Sequence, residues 1–119
     1  MLGHLSQKRQ FERVLISLQV NGKYVPKIFQ SHSFEGHSLN LSYDGLCIQT
    51  SSNGFKAGQK LRFGTSLYKG DFSLKARGKI CWVSSHDSSE GTINIGVKLM
   101  RTRHYDLWCK RVDEALLLI

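Results

Sequence analysis

A chain of 119 residues accommodates one hydrophobic core, and 40% hydrophobic with 22% charged residues argues against global disorder. Seventeen Lys and Arg against nine Asp and Glu give a formal charge of +8, which favours an anionic partner: a phosphate-bearing ligand, RNA or an acidic protein. No CxxC or zinc spacing occurs and no apolar run approaches the ~20 residues of a membrane helix, so no metal, cofactor or membrane insertion is expected.

Met1 to Gln10 lacks the continuous apolar stretch of a secretory signal, which points to a cytoplasmic protein. Cys47, Cys81 and Cys109 sit in apolar stretches and read as small buried side chains in a reducing compartment. Residues 1–13 form an expected N-terminal arm, with Leu2 and Leu5 as its only aliphatic side chains besides Met1 before Phe11. So little apolar surface does not offset an ordering cost of about 1–2 kcal/mol per backbone residue, so the arm is expected to order only on a ligand. It carries Arg9-Gln10-Phe11-Glu12-Arg13. Two guanidinium forks four residues apart can grip phosphate oxygens or the O6/N7 edge of guanine bidentately.

Val14 to Val20 is aliphatic, and Asn21-Gly22 follows at once, the dipeptide suited to a type I′ hairpin turn. A strand from Lys23 to Phe29 should then return, with Pro26 pushing it toward an edge or a bulge. Ser31 to Gly36 is polar and turn-like. His37 to Ser42 opens the motif Asn40-Leu41-Ser42-Tyr43-Asp44-Gly45 at or near a strand end. Asn40 and Ser42, two apart, are expected on one strand face, and Gly45 where the backbone turns with positive φ or lies against a ligand. Tyr43 and Asp44 read as turn-tip residues. Gly45 to Thr50 reads as the partner strand, Ser51 to Gly54 as a loop, and Leu61 to Leu67 as another apolar stretch. Asp71 to Val83 is the longest strand candidate, alternating at Phe72, Leu74 and Ala76 and again at Ile80 and Trp82. Ser84 to Gly91 reads as an exposed loop, and Thr92 to Met100 as the last strand. Many short strands at close spacing predict a barrel or sandwich, here residues 14–101.

The period then changes. Tyr105, Trp108, Val112, Ala115, Leu116 and Ile119 recur at three- and four-residue steps, predicting a C-terminal helix over 104–119 with one apolar face. Asp106 with Lys110, and Lys110 with Glu114, fall at i,i+4 on its solvated face.

The pair of motifs, RxxxR followed by NxSxxG, resembles the PilZ domain, a bacterial receptor for cyclic di-GMP. The likeness extends through Gly58-Gln59-Lys60-Leu61-Arg62-Phe63, Arg77-Gly78-Lys79-Ile80-Cys81-Trp82-Val83 and Ile95-Gly96-Val97-Lys98-Leu99, from about Lys8 to Met100. It implies a mostly β fold, a six-stranded antiparallel barrel with a C-terminal α-helix. It implies that Arg9 and Arg13 grip the phosphates and guanines of cyclic di-GMP, and that Asn40 recognises guanine with Ser42 and Gly45 in support. Lys8 precedes the first arginine, where the family often carries a basic residue that helps hold a second, stacked ligand molecule; a solvated lysine is the plainer reading. Trp82 offers a stacking surface for a base or, flanked by Ile80 and Val83, packs in the core. The resemblance further implies a downstream protein effector controlling motility, biofilm or exopolysaccharide.

Two other classes fit parts of the chain. A basic β-barrel could bind single-stranded nucleic acid by stacking bases on Phe63, Tyr68, Phe72 and Trp82, although these show no clustered platform and no nucleic acid is expected. A nucleotide-independent adaptor, as in pilus assembly, is the other, against which the intact motifs count. Catalysis is not expected: Gly36-His37-Ser38-Leu39-Asn40 only half resembles a nucleophile elbow, and no Walker A loop or paired-carboxylate motif occurs.

Overall fold

The computed structural model describes residues 15–27, 30–52, 54–66, 74–84, 91–102 and 104–117. Lys8, Arg9 and Arg13, with the rest of the expected arm, lie outside the described residues, as do Tyr68, Phe72 and most of the loop expected at Ser84 to Gly91. Among the described residues there are six strands: β1 (Gln19–Lys27), β2 (Gln30–Leu41), β3 (Gly45–Thr50), β4 (Lys60–Ser66), β5 (Leu74–Ser84) and β6 (Ile93–Leu99). The helix α1 (Tyr105–Leu116) follows them. The strands close into an antiparallel barrel in the order β1-β2-β3-β6-β5-β4, with β4 pairing back onto β1. The predicted six-stranded barrel with a C-terminal helix is therefore what the chain forms.

The first hairpin differs from expectation. Asn21-Gly22 is not a turn but the middle of β1, where Gly22 pairs with Phe34 on β2 and Phe63 on β4. A Cβ at Gly22 would come within 2.8 Å of both phenylalanine side chains and 2.5 Å of the Arg62 carbonyl oxygen, so the glycine is needed for close packing. The burial of two aromatic rings, worth about 1.5–3 kcal/mol each, outweighs a local turn preference. Ser31 to Gly36, expected as a turn, lies in β2, and the chain reverses instead between the paired residues Lys27 and Gln30. Pro26 behaves as predicted for a bulge: the β1–β2 register shifts between Tyr24 and Lys27, beyond the last residue of β1 that pairs with β4.

Inward residues fill the barrel, among them Val20, Phe34, Ile48, Leu61, Ile80 and Ile95. One end is packed by Tyr24, Phe34 and Phe55, whose rings meet at centroid separations of 4.4 Å (Tyr24–Phe55) and 5.3 Å (Phe34–Phe55). The other is covered by α1, whose Trp108 packs edge-on against Phe63 at 6.0 Å. The helix buries Trp108, Val112 and Ala115 as its period predicts, and also Arg111. Arg111 is held by Glu114 at 3.2 Å and donates to the Thr65 carbonyl at 3.4 Å, so Glu114 serves a buried partner as well as the solvated face. Of the cysteines only Cys47 is buried; Cys109 is half-buried and Cys81 exposed, because Cys81 follows inward Ile80 and strand alternation points it outward.

Candidate functional site

Two one-residue bulges shape the outer surface of β2, β3, β6 and β5. In β2 the register slips between Ser38, paired with Ile48, and Asn40, paired with Cys47. In β5 it slips between Ile80, paired with Val97, and Trp82, paired with Gly96. The second slip defeats the alternation that would send Ile80 and Trp82 to the same face. Ile80 is buried, and Trp82 is 47% exposed on the barrel's exterior. Its indole lies over Gly96 so closely that a Cβ there would meet Nε1 at 2.1 Å.

Asn40, Gly45 and Trp82 thereby line one concavity of about 810 Å³. Asp44 and Lys98, from within the quoted motifs but not expected at the site, and Arg101 and Tyr105, from outside them, also line it. Arg101 stacks over the Tyr105 ring, 4.7 Å from its centroid, and comes within 3.9 Å of the Asp44 carboxylate. Both members of that ion pair are substantially exposed, so it contributes little stability and leaves Arg101 available to an anion. Burial first, and then a hydrogen bond with Cys109, push the Tyr105 phenol up from 10.0 to about 12, with Arg101 pulling the other way. Tyr105 is therefore neutral near pH 7. No motif marks Arg101 or Tyr105 as a site residue; they belong to the segment between β6 and α1 and to the first residue of the helix.

The remaining motif residues shape the site from beneath. Ser42 lies past the end of β2 and is buried, so it does not share a strand face with Asn40. Its backbone N–H donates to the Gly45 carbonyl at 2.8 Å, and its carbonyl accepts the Trp108 indole N–H at 2.8 Å. Gly45 does not have positive φ; it is required because a Cβ would stand 2.0 Å from the Val97 carbonyl oxygen. Tyr43, expected at a turn tip, packs against the core and donates its hydroxyl to Asp113 of α1. The turn is thus bolted to the helix on one side and to β6 on the other. The chain before β1 is tied down beside it: the Ser38 hydroxyl donates to the Ile16 carbonyl at 2.6 Å and accepts the Leu18 N–H at 2.8 Å.

An exposed indole face suits a nucleobase, and the Asn40 amide offers both donors and an acceptor to a base edge. Phe63, by contrast, is buried within the barrel, which removes one aromatic from a single-strand stacking platform. Among the described residues no cluster of three His, Cys, Asp or Glu side chains could hold a metal ion, and no helix is long and apolar enough to cross a membrane.

The sequence profile of the PilZ domain matches residues 7–107, most of the chain. The chain belongs to the PilZ domain family. Two solved structures share this PilZ fold. The inhibitor of motility MotI/DgrA of Bacillus subtilis is 16% identical with a TM-score of 0.65, over 93% of this chain and 52% of that one. PlzA of Borreliella burgdorferi, solved in complex with c-di-GMP, is 13% identical with a TM-score of 0.59, over 98% of this chain and 55% of that one. This PilZ chain thus spans about half the length of either structure. No curated protein is significantly similar to it in sequence.

Proposed function

We propose that this PilZ domain is a receptor for cyclic di-GMP that binds the dinucleotide without chemical conversion and relays its presence to a protein effector. The observation that carries the reading is the convergence of Asn40 and the exposed Trp82 on one concavity, beside the point where the chain entering β1 is fastened. Leu18 is held at Ser38, two residues from Asn40, and Arg13 and Arg9 lie five and nine residues upstream of Leu18. At about 3.3–3.6 Å per residue those lengths span up to about 18 and 32 Å, so both arginines have the reach to enter the concavity. In this reading residues 1–13 act as an arm whose Arg9 and Arg13 clamp the phosphates and guanines. Asn40 meets a guanine edge, Trp82 stacks on a base, Lys8 helps hold a second ligand molecule, and Ser42 and Gly45 hold the turn. Membership of the PilZ family and a fold shared with a protein solved in complex with c-di-GMP support the choice of ligand. A second messenger of this kind places the receptor in the cytoplasm, with motility, biofilm or exopolysaccharide as the controlled process.

Calorimetry with cyclic di-GMP tests the proposal. Arg9→Ala and Arg13→Ala should each cost about 2–5 kcal/mol of binding, roughly 30-fold or more in affinity, in a protein that still folds. Excess single-stranded oligonucleotide should leave the bound dinucleotide in place. Wild-type protein that ignores cyclic di-GMP would favour the nucleotide-independent adaptor, and unchanged affinity in either variant would remove the clamp.

A further inference from the structure

We propose that a second concavity, on the outer face of β1, β4 and β5, binds a small oligophosphate, meaning a soluble molecule with two or three linked phosphate groups. This hollow of about 440 Å³ shares no lining residue with the concavity around Asn40 and Trp82, and it falls in the size range of small-molecule sites, roughly 300–1,000 Å³.

The cross-strand register assembles it. Lys23 on β1 pairs with Arg62 on β4, and Arg62 pairs with Arg77 on β5, so three exposed cations stand side by side. Directly opposed like charges in a sheet are destabilising. In the adjacent row Asn21 pairs with Gly64 and Gly64 with Lys75. Strand alternation puts Gly64 on the outer face between them, and it lines the hollow without a side chain of its own. His104, immediately before α1, closes the rim. Among the described residues the lining contains no carboxylate.

Ammonium and guanidinium groups supply donors and no acceptors, and arginine forks match phosphate oxygens bidentately. A ligand recognised here is therefore chosen by clustered negative charge and acceptor oxygens. A further row of exposed cations, Lys60, Lys79 and Lys98, is continuous with this face but lies outside the hollow. Lys60 and Lys79 line neither concavity, whereas Lys23, Arg62, Lys75 and Arg77 line one hollow and can converge on one group. Convergence favours a compact oligophosphate over an extended polyanion lying along all the rows.

The test uses inorganic triphosphate titrated into the full chain, with cyclic di-GMP titrated separately. Saturable binding of one triphosphate per chain is expected, with amide shifts in β1, β4 and β5. The double variant Arg62→Ala with Arg77→Ala should weaken it at least tenfold. Lys60→Ala with Lys79→Ala removes the same charge outside the hollow and should change affinity by less than about threefold. Both variants should keep the wild-type circular dichroism and their wild-type response to cyclic di-GMP, so this site and the dinucleotide site can fail independently. Absence of saturable binding overturns the proposal. So does equal weakening in the two double variants, which would mean only a diffuse positive field. Displacement of triphosphate by duplex DNA at lower phosphate concentration would replace the small ligand with an extended polyanion.

Discussion

A methyl group at Gly45 would stand 2.0 Å from the Val97 carbonyl oxygen, while one at Gly96 would strike the indole of Trp82. The two glycines look alike in sequence, yet substitution should act differently. Gly45→Ala pushes two backbones apart in a paired region and should cost roughly 1–3 kcal/mol, read as a lowered midpoint in thermal or denaturant unfolding. Trp82 is 47% exposed, so Trp82→Ala should change stability by less than about 1 kcal/mol. The same variant should weaken cyclic di-GMP by about 1–3 kcal/mol if a base stacks on the indole. Calorimetry and unfolding on one preparation separate the two effects; a large stability loss with normal binding would return Trp82 to a packing role. At Asn40 a carboxylate accepts from two guanine donors at once where an amide has one acceptor oxygen. Asn40→Asp should therefore bind as tightly or more tightly and Asn40→Ala more weakly, and an Asp variant that folds without binding would refute the guanine contact.

The helix contributes more than a greasy cover. Arg111 is 5% exposed, and its Nε has no hydrogen-bond partner among the described residues. Burying a guanidinium costs more than one half-exposed carboxylate and a 3.4 Å bond to the Thr65 carbonyl return, so Arg111→Met should leave stability unchanged or raise it by about 1 kcal/mol or more. Glu114→Ala, which strands the charge, should lower stability; denaturant midpoints that moved in the opposite order would contradict this account. Tyr105, at the start of the same helix, has a folded-state pKa raised above its ordinary value of 10.0 to about 12. The folded state thus holds this proton more tightly than the unfolded chain does. Its stabilising contribution is complete below about pH 10 and is lost as the pH rises through about 12. The stability gap between wild type and Tyr105→Phe should shrink across that window, and a constant gap would show that the phenol does not titrate as argued.

Closure of six strands into a barrel leaves no unpaired edge along the ring, so a binding surface must be built on the outside of the wall or at its ends. Both concavities described above are of the outer kind. With a formal charge of +8, the whole molecule should attract a dinucleotide with two phosphates in a salt-dependent way. Raising salt from 0.1 to 1 M shortens the screening length from about 10 to about 3 Å, and the affinity for cyclic di-GMP should fall several-fold. The proposed arm adds a second global readout: hydrogen exchange in residues 4–13 should slow on binding. Equal exchange with and without ligand would leave a receptor without an ordering switch.

Much of the architecture was legible in the chain because it follows from local period. Gly45 to Thr50 is a short, largely apolar run and the tail from Tyr105 repeats at three- and four-residue steps, and they fold as the expected strand and amphipathic helix. The motif order and the spacing of the later strands were enough to point to the PilZ family. What the local pattern could not carry were contacts made by distant strands. Asn21-Gly22 favours a turn in isolation, and only the arrival of Phe34 and Phe63 on either side converts it to mid-strand. Alternation sends Trp82 inward with Ile80, and only the slip against β6 turns it out beside Asn40. Arg101 and Tyr105 join that concavity because α1 covers the end of the barrel. The cations Lys23, Arg62 and Arg77 are spread over more than fifty residues of sequence, and pairing alone makes them neighbours. Sequence determined the later strands and the helix, since those follow from side chains a few residues apart. Tertiary structure decided which residues share a surface, since register is set by the packing of whole strands against one another.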